Sequence, residues 1–442
     1  MKRKLTVLSA AALSLMLSAC GTPAAPANPD DEKEAVTPVP AEESISDDYS
    51  LEEVVVLSRH NIRSPLTGGG SVLDTMTDHE WFEWTSSASE LSLRGGALET
   101  MMGQYFRKWL VREGLMEENE MPEDGEVRIY ANAKQRTIAT ARYFASGFLP
   151  VADTDVEYNA DYDTMDPVFN PVFTFMSDSY AKAVEEAMHE YDDDINALKP
   201  SYELLQKVID YEKSKGCLSG SCPVFSTTDS EFTLALGKEP TVKGTLKTAC
   251  SLSDALVLQY YEEPDKVKAG FGHDLSEADW ESISKIKDVY SQVLFCSPII
   301  AVNAAHPLLM EIQKELNQEG RKFTFLCGHD SNVLTVLSAL GVQSYELPDA
   351  IEKQTPIGCK LLFEKWVNKD NEKFIRLRMI YESPDQLREL KMVTPDTPPC
   401  SYDLTLPGIE RNEDGLYRFS DVMTRFNEQI AAYDQLQKDY AD

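Results

Sequence analysis

The chain has 442 residues, 42% hydrophobic and 9% aromatic, an ordinary globular composition long enough for more than one layer system or two domains. Lys and Arg total 42 against 74 Asp and Glu, a net charge of −32. That balance argues against nucleic acid as a partner, and it requires any phosphate site to concentrate arginine locally.

Lys2-Arg3-Lys4 and the apolar run from Leu5 to Met16 read as an export signal too short to cross a membrane. Residues 1–20 then read as a lipoprotein signal ending in Leu17-Ser18-Ala19-Cys20-Gly21, which looks like a bacterial lipobox in which Cys20 is lipidated after cleavage. The alternative is a plain secretory signal with an incidental Cys20. Residues 21–49 are rich in Pro, Ala, Glu and Asp and poor in large apolar side chains, so they read as a disordered tether. No later segment is long and apolar enough to span a bilayer. The expectation is an exported lipoprotein at a periplasmic or cell-surface membrane, touching that membrane through its N-terminal lipid only.

The first predicted strand, Val54–Leu57, ends in Ser58-Arg59-His60-Asn61-Ile62-Arg63-Ser64-Pro65. An imidazole between two guanidinium groups is a poor home for a metal ion or a protonated His. It is a good home for an anion such as phosphate, with a neutral imidazole placed to attack it. A helix follows over Gly96–Val111, with Leu98, Met101, Met102, Tyr105, Trp109 and Leu110 on one broad face. The strand Val127–Tyr130 runs into Ala131-Asn132-Ala133-Lys134-Gln135-Arg136 and a helix over Thr137–Phe144.

From 176 to 298 the pattern is helical throughout, with helices over Tyr180–Tyr191, Tyr202–Tyr211, Ser253–Tyr261 and Ala278–Leu294. This reads as an inserted all-α cap domain. Seven cysteines remain after Cys20, an odd number, so at least one is free or pairs between chains. Cys217 and Cys222 flank a short polar loop and are the preferred disulfide, with half of a metal site as the alternative. Beyond the cap come a helix over Pro307–Leu316, a strand over Phe323–Cys327, the turn Gly328-His329-Asp330-Ser331, a helix over Asn332–Leu340, and strands at Leu361–Phe363 and Ile375–Tyr381. Strands alternating with helices predict a three-layer α/β domain, residues 50–175 and 299–442, around a mostly parallel sheet.

Taken singly, Arg59 and Arg63 read as salt-bridge residues, His60 as a structural His, Arg136 as a solvated charge and Asp330 as a helix N-cap. Their joint arrival at three strand-to-helix junctions points elsewhere, because open α/β sheets bind ligands beyond the carboxyl ends of their strands. If these strands are neighbours, one site holds three Arg, two His and one Asp.

The constellation resembles the histidine acid phosphatases, which carry Arg-His-Gly-x-Arg-x-Pro near the N-terminus and His-Asp near the C-terminus. The counterparts here are Arg59-His60-Asn61-Ile62-Arg63-Ser64-Pro65 and His329-Asp330. Asn61 replaces the usual Gly, as in the bacterial glucose-1-phosphatase branch, and Asn tolerates tight turns nearly as well. Trp81-Phe82-Glu83-Trp84, Tyr130-Ala131-Asn132 with Gln135-Arg136-Thr137, Thr164-Met165-Asp166-Pro167 and Thr355-Pro356-Ile357-Gly358 are similar to that branch too, and the likeness runs from about 51 to 430.

The resemblance implies an acid phosphomonoesterase acting on sugar phosphates such as glucose-1-phosphate, through a phosphohistidine, with no cofactor and no metal. His60 would be the nucleophile and Asp330 the proton donor, protonated for the first step. Arg59, Arg63, Arg136 and His329 would bind the phosphoryl group, and Glu239 would line the pocket from the cap. Phytase is the runner-up. Leu66-Thr67-Gly68-Gly69-Gly70 offers no extra cation for further phosphates, which favours a small monophosphate. A different class, a phospholigand-binding surface lipoprotein without turnover, needs neither His60 nor Asp330. Monomer and homodimer both remain open.

Overall fold

The computed structural model describes residues 45–441 except 67–70, 120, 150–153, 221 and 223. The expected signal, Cys20, residues 21–44 of the tether and Thr67 to Gly70 lie outside the described residues. Among those described, the strands are β1 (Tyr49–Arg59), β2 (Val127–Ala131), β3 (Glu231–Thr233), β4 (Thr241–Lys243), β5 (Phe323–Gly328), β6 (Lys360–Asn368), β7 (Lys373–Tyr381), β8 (Cys400–Asp403) and β9 (Tyr417–Arg418). No helix among them is long and apolar enough to cross a membrane.

The continuous apolar run of β1 is explained by helices on both faces of one sheet. Val54 and Val56 join a core with the helices Leu93–Arg112 and Gln135–Phe148. Val55 and Leu57 join another with the helices His306–Leu316, Asp330–Ala339 and Phe419–Asp439. The result is three layers, with β1 near the centre of the order β2-β5-β1-β6-β7-β8 and β9 also pairing with β7.

The sheet is mixed, which corrects the expectation of a mostly parallel one. The pairs β1–β5 and β2–β5 are parallel, and the other four pairings are antiparallel. For β6 and β7 the cause is connection length: residues 369–372 join them, too short for anything but an antiparallel hairpin. β6 is also far longer than the expected Leu361–Phe363. Glu364 and Lys365 interrupt its apolar pattern, but both are buried as ion pairs, Glu364 with Arg378 and Lys365 with Glu53. The helix Phe419–Asp439 was not expected, because its polar sequence buries only Val422, Met423, Phe426 and Leu436.

Between 176 and 298 the longer helices are Asp178–His189, Lys199–Val208, Thr245–Glu262 and Glu277–Phe295. The helix expected to reach Tyr211 stops at Val208, and Asp210 takes the left-handed conformation at φ 48°. The segment is not all-α: β3 and β4 form a small antiparallel hairpin in it. Its hydrophobic core also takes in Ile62, Leu98 and Leu334 from outside. Cys217 and Cys222 are joined in a disulfide, while Cys250, Cys296, Cys327, Cys359 and Cys400 are free thiols.

Candidate active site

The three parallel strands β2, β5 and β1 are adjacent, so their carboxyl ends open side by side: Arg59 is level with Gly328, and Ala131 with Cys327. One pocket is lined by His60, Arg63, Arg136, Glu239, His329 and Asp330, among others. Arg59 lies behind that wall with its side chain only 1% exposed. The structure thus brings all seven sequence candidates for the site to one place.

Each junction has a local reason for its shape. Gly328 must be glycine, because a Cβ there would meet Asn332 Oδ1 at 2.4 Å. Asn332 Oδ1 accepts from the His329 backbone N–H at 2.9 Å, and its Nδ2 donates to the Phe169 carbonyl at 2.8 Å. His329, not Asp330, is therefore the N-cap residue, and Asp330 opens the helix. At the first junction Asn61 is absent from the residues with positive φ, so a left-handed turn is not what it provides. Its side chain instead donates to Glu99 Oε1 at 2.8 Å, and Glu99 is held by the wholly buried Lys360 at 2.9 Å.

The state of His60 follows from its hydrogen bond. Nδ1 lies 2.9 Å from the Asn61 carbonyl oxygen, which can only accept, so Nδ1 carries the proton. Nε2 is left with its lone pair. Burial and then Arg136, Arg63, His329 and Arg59 hold the ring well below the ordinary histidine pKa, so it is neutral.

His329 is assigned in the same way. Asn132 Oδ1 accepts from the Asp166 backbone at 2.9 Å, which fixes its amide, and Asn132 Nδ2 donates to His329 Nε2 at 2.7 Å. The His329 proton is then on Nδ1, 3.4 Å from Arg136 NH2. Two donors cannot bond each other, but they can share an acceptor such as a phosphoryl oxygen. Arg136 has no carboxylate within salt-bridge distance among the described residues, and burial, then Arg63, pushes its guanidinium down to about 10. It is an uncompensated cation of the site.

The remaining charges form a network that sequence reading missed in large part. Arg63 pairs with Asp254 at 3.0 Å and Arg59 with Glu352 at 2.7 Å. Lys287 reaches Asp330 at 3.0 Å, Glu352 at 3.2 Å and Asp254 at 3.6 Å. Asp330 also lies 3.7 Å from Arg59. Burial alone would raise the Asp330 carboxyl, but Lys287 and then Arg59 hold it well below the usual carboxylate range. Asp330 is thus ionised in this structure, where the sequence reading had it protonated. A signal for Lys287 existed: Ile283, Ile286 and Leu294 make its helix face apolar, and a lysine in that stripe needs buried partners.

Glu239 sits just before β4, in a turn pinned to Phe173 by two backbone bonds, Phe173 N–H to the Lys238 carbonyl at 3.1 Å and Gly237 N–H to the Phe173 carbonyl at 2.8 Å. It faces the pocket beside Thr241, Ser251 and Tyr290. Lys247 and Lys287 also line the pocket, cations that the sequence reading did not single out. Both come from helices of the 176–298 segment rather than from the loop after Pro65.

The chain is similar to known proteins. Residues 50–381 match the model of the histidine phosphatase superfamily, branch 2. A glucose-1-phosphatase of Salmonella typhimurium is 37% identical over 383 residues, covering 85% of this chain and 92% of that protein. One from Providencia rettgeri is 35% identical over 403 residues, covering 89% and 96%. Among solved structures, the phytase of Hafnia alvei superposes with a TM-score of 0.79 at 25% identity, covering 88% of this chain and 98% of that one.

Proposed function

The chain belongs to branch 2 of the histidine phosphatase superfamily, and from that premise we propose that it hydrolyses sugar monophosphates such as glucose-1-phosphate through a phosphohistidine at His60. The observation that carries this reading is the neutral His60 ring, its Nδ1 committed to a backbone carbonyl, beside Arg63, Arg136 and His329.

In the first step His60 Nε2 attacks phosphorus opposite the ester oxygen, an N–P bond forms and the P–O bond breaks. The departing sugar oxygen takes its electron pair and a proton from Asp330. In the second step Asp330 takes a proton from water as that water attacks phosphorus, which releases phosphate and restores neutral His60. Arg63, Arg136 and His329 hold the phosphoryl oxygens, with Arg59 behind them. The ionised Asp330 of this structure is reconciled with its role as acid by the substrate itself. A phosphoryl dianion among these cations adds negative charge beside the carboxylate and raises its pKa.

On the leaving-group side, hydroxyls of Thr241, Ser251, Tyr290 and Ser291 with the carboxylate of Glu239 suit a polyhydroxylated ring, and Glu239 disfavours additional phosphates. Residues 176–298 act in this reading as a cap over the site. One observation favours phytate instead: Lys247, whose Nζ lies 3.1 Å from the Tyr290 hydroxyl, has no carboxylate within salt-bridge distance among the described residues. A substrate panel between about pH 4 and 7 decides between them. Faster turnover of glucose-1-phosphate, unaffected by EDTA, is expected; faster phosphate release from phytate would overturn the preference. We also read the N-terminus as a lipoprotein signal ending at Cys20, and the Cys217–Cys222 disulfide supports export to an oxidising compartment.

A further inference from the structure

Lys287 is the short-range partner of Asp330. Its Nζ is 3.0 Å from Asp330 Oδ2, against 3.7 Å for Arg59. The other two carboxylates of the network each have an arginine of their own, Glu352 at 2.7 Å from Arg59 and Asp254 at 3.0 Å from Arg63. Lys287 is only 12% exposed, and it arrives from the helix Glu277–Phe295, outside the three strand-end junctions. A lysine costs free energy to bury and is retained only with close partners.

Further titratable and charged groups face Asp330 from every side. The end of β1 presents Arg59 and His60, the helix Gln135–Phe148 presents Arg136, and His329 adjoins it in the chain. The carboxylates nearby are Asp254, Glu239 and, through Arg59 and Lys287, Glu352. Cys250, Cys359 and Tyr290 are also within electrostatic reach. Of all these groups, Lys287 is the one in salt-bridge contact with Asp330 at hydrogen-bond distance.

We propose that Lys287 is a positioning residue of the reaction, which aims Asp330 at the leaving oxygen and governs when it carries a proton. The inference rests on the reading of Asp330 as the proton donor. It goes beyond that reading by making a cap-segment lysine, rather than the strand-end motif alone, set the pH range of catalysis. A cation beside a carboxylate favours its ionised form, so taking that cation away lets Asp330 hold its proton to higher pH. The alkaline limb of kcat, which reports the acid in the enzyme–substrate complex, then moves upward.

The test measures kcat against pH for glucose-1-phosphate in the full chain and in Lys287→Met, Lys287→Arg and Asp330→Asn. In Lys287→Met the alkaline limb is expected about one pH unit or more higher, with a lower maximal kcat because Asp330 is no longer aimed. Lys287→Arg keeps the charge and the wild-type limb. A merely structural lysine would lower activity equally at every pH, and an unmoved limb overturns the proposal. If Lys287→Met does not fold, the charge-balanced pair Asp254→Asn with Lys287→Met carries the same expectation. Asp330→Asn separates the two levels. Loss of its activity on glucose-1-phosphate, together with an unmoved Lys287→Met limb, sinks this inference alone, whereas retained activity sinks the reading of Asp330 itself.

Discussion

Replacing His60 with alanine lowers kcat/KM on glucose-1-phosphate by about a thousandfold or more, with an unchanged circular dichroism spectrum. The size follows from the site's construction. His60 supplies the only bond to phosphorus in the first step, and no neighbouring group replaces it. His329 is 5.5 Å away between ring centroids, and its Nε2 is occupied by Asn132. The fold survives because the structural ties of this loop belong to Asn61 and Arg63 rather than to the imidazole. A His60→Ala chain that keeps turning over sugar phosphate would show that the ring is a bystander. It would then favour direct attack by water.

Asp330→Asn is expected to cost about 10²- to 10⁴-fold on glucose-1-phosphate, and much less on p-nitrophenyl phosphate. A sugar alkoxide is a poor leaving group and needs a proton as the P–O bond breaks, whereas p-nitrophenolate departs without one. The amide also removes a negative charge facing Lys287 and Arg59, so phosphate binds no worse and the loss falls in kcat rather than KM. Equal losses on both substrates would move Asp330 from proton transfer to simple electrostatics.

Much of this site was legible because its chemistry sits at strand ends. An apolar strand followed at once by Arg59-His60, a second ending before Arg136, and a third before His329-Asp330 are local patterns, and adjacency of β2, β5 and β1 makes them one site. Asn61 was legible as a departure but not for its reason, since the Glu99 and Lys360 anchor that holds it lies far off in sequence. Lys287, Asp254 and Glu352 were hidden for a related cause. On helices and loops a lone charge reads as solvated surface, and only tertiary packing shows three carboxylates closing on one ammonium. The sheet's antiparallel half was obscured by buried charged residues in β6, and the helix Phe419–Asp439 by its thin apolar stripe.

The central claim is the covalent intermediate, and it is tested most directly by trapping. The full chain is mixed with glucose-1-phosphate, denatured within a turnover at alkaline pH where a phosphohistidine persists, digested and analysed by mass spectrometry. A phosphate adduct on the ring of His60, absent from the His60→Ala chain, is the predicted result. No adduct at any quench time, or one placed on Asp330, Cys250 or another side chain, would contradict the account.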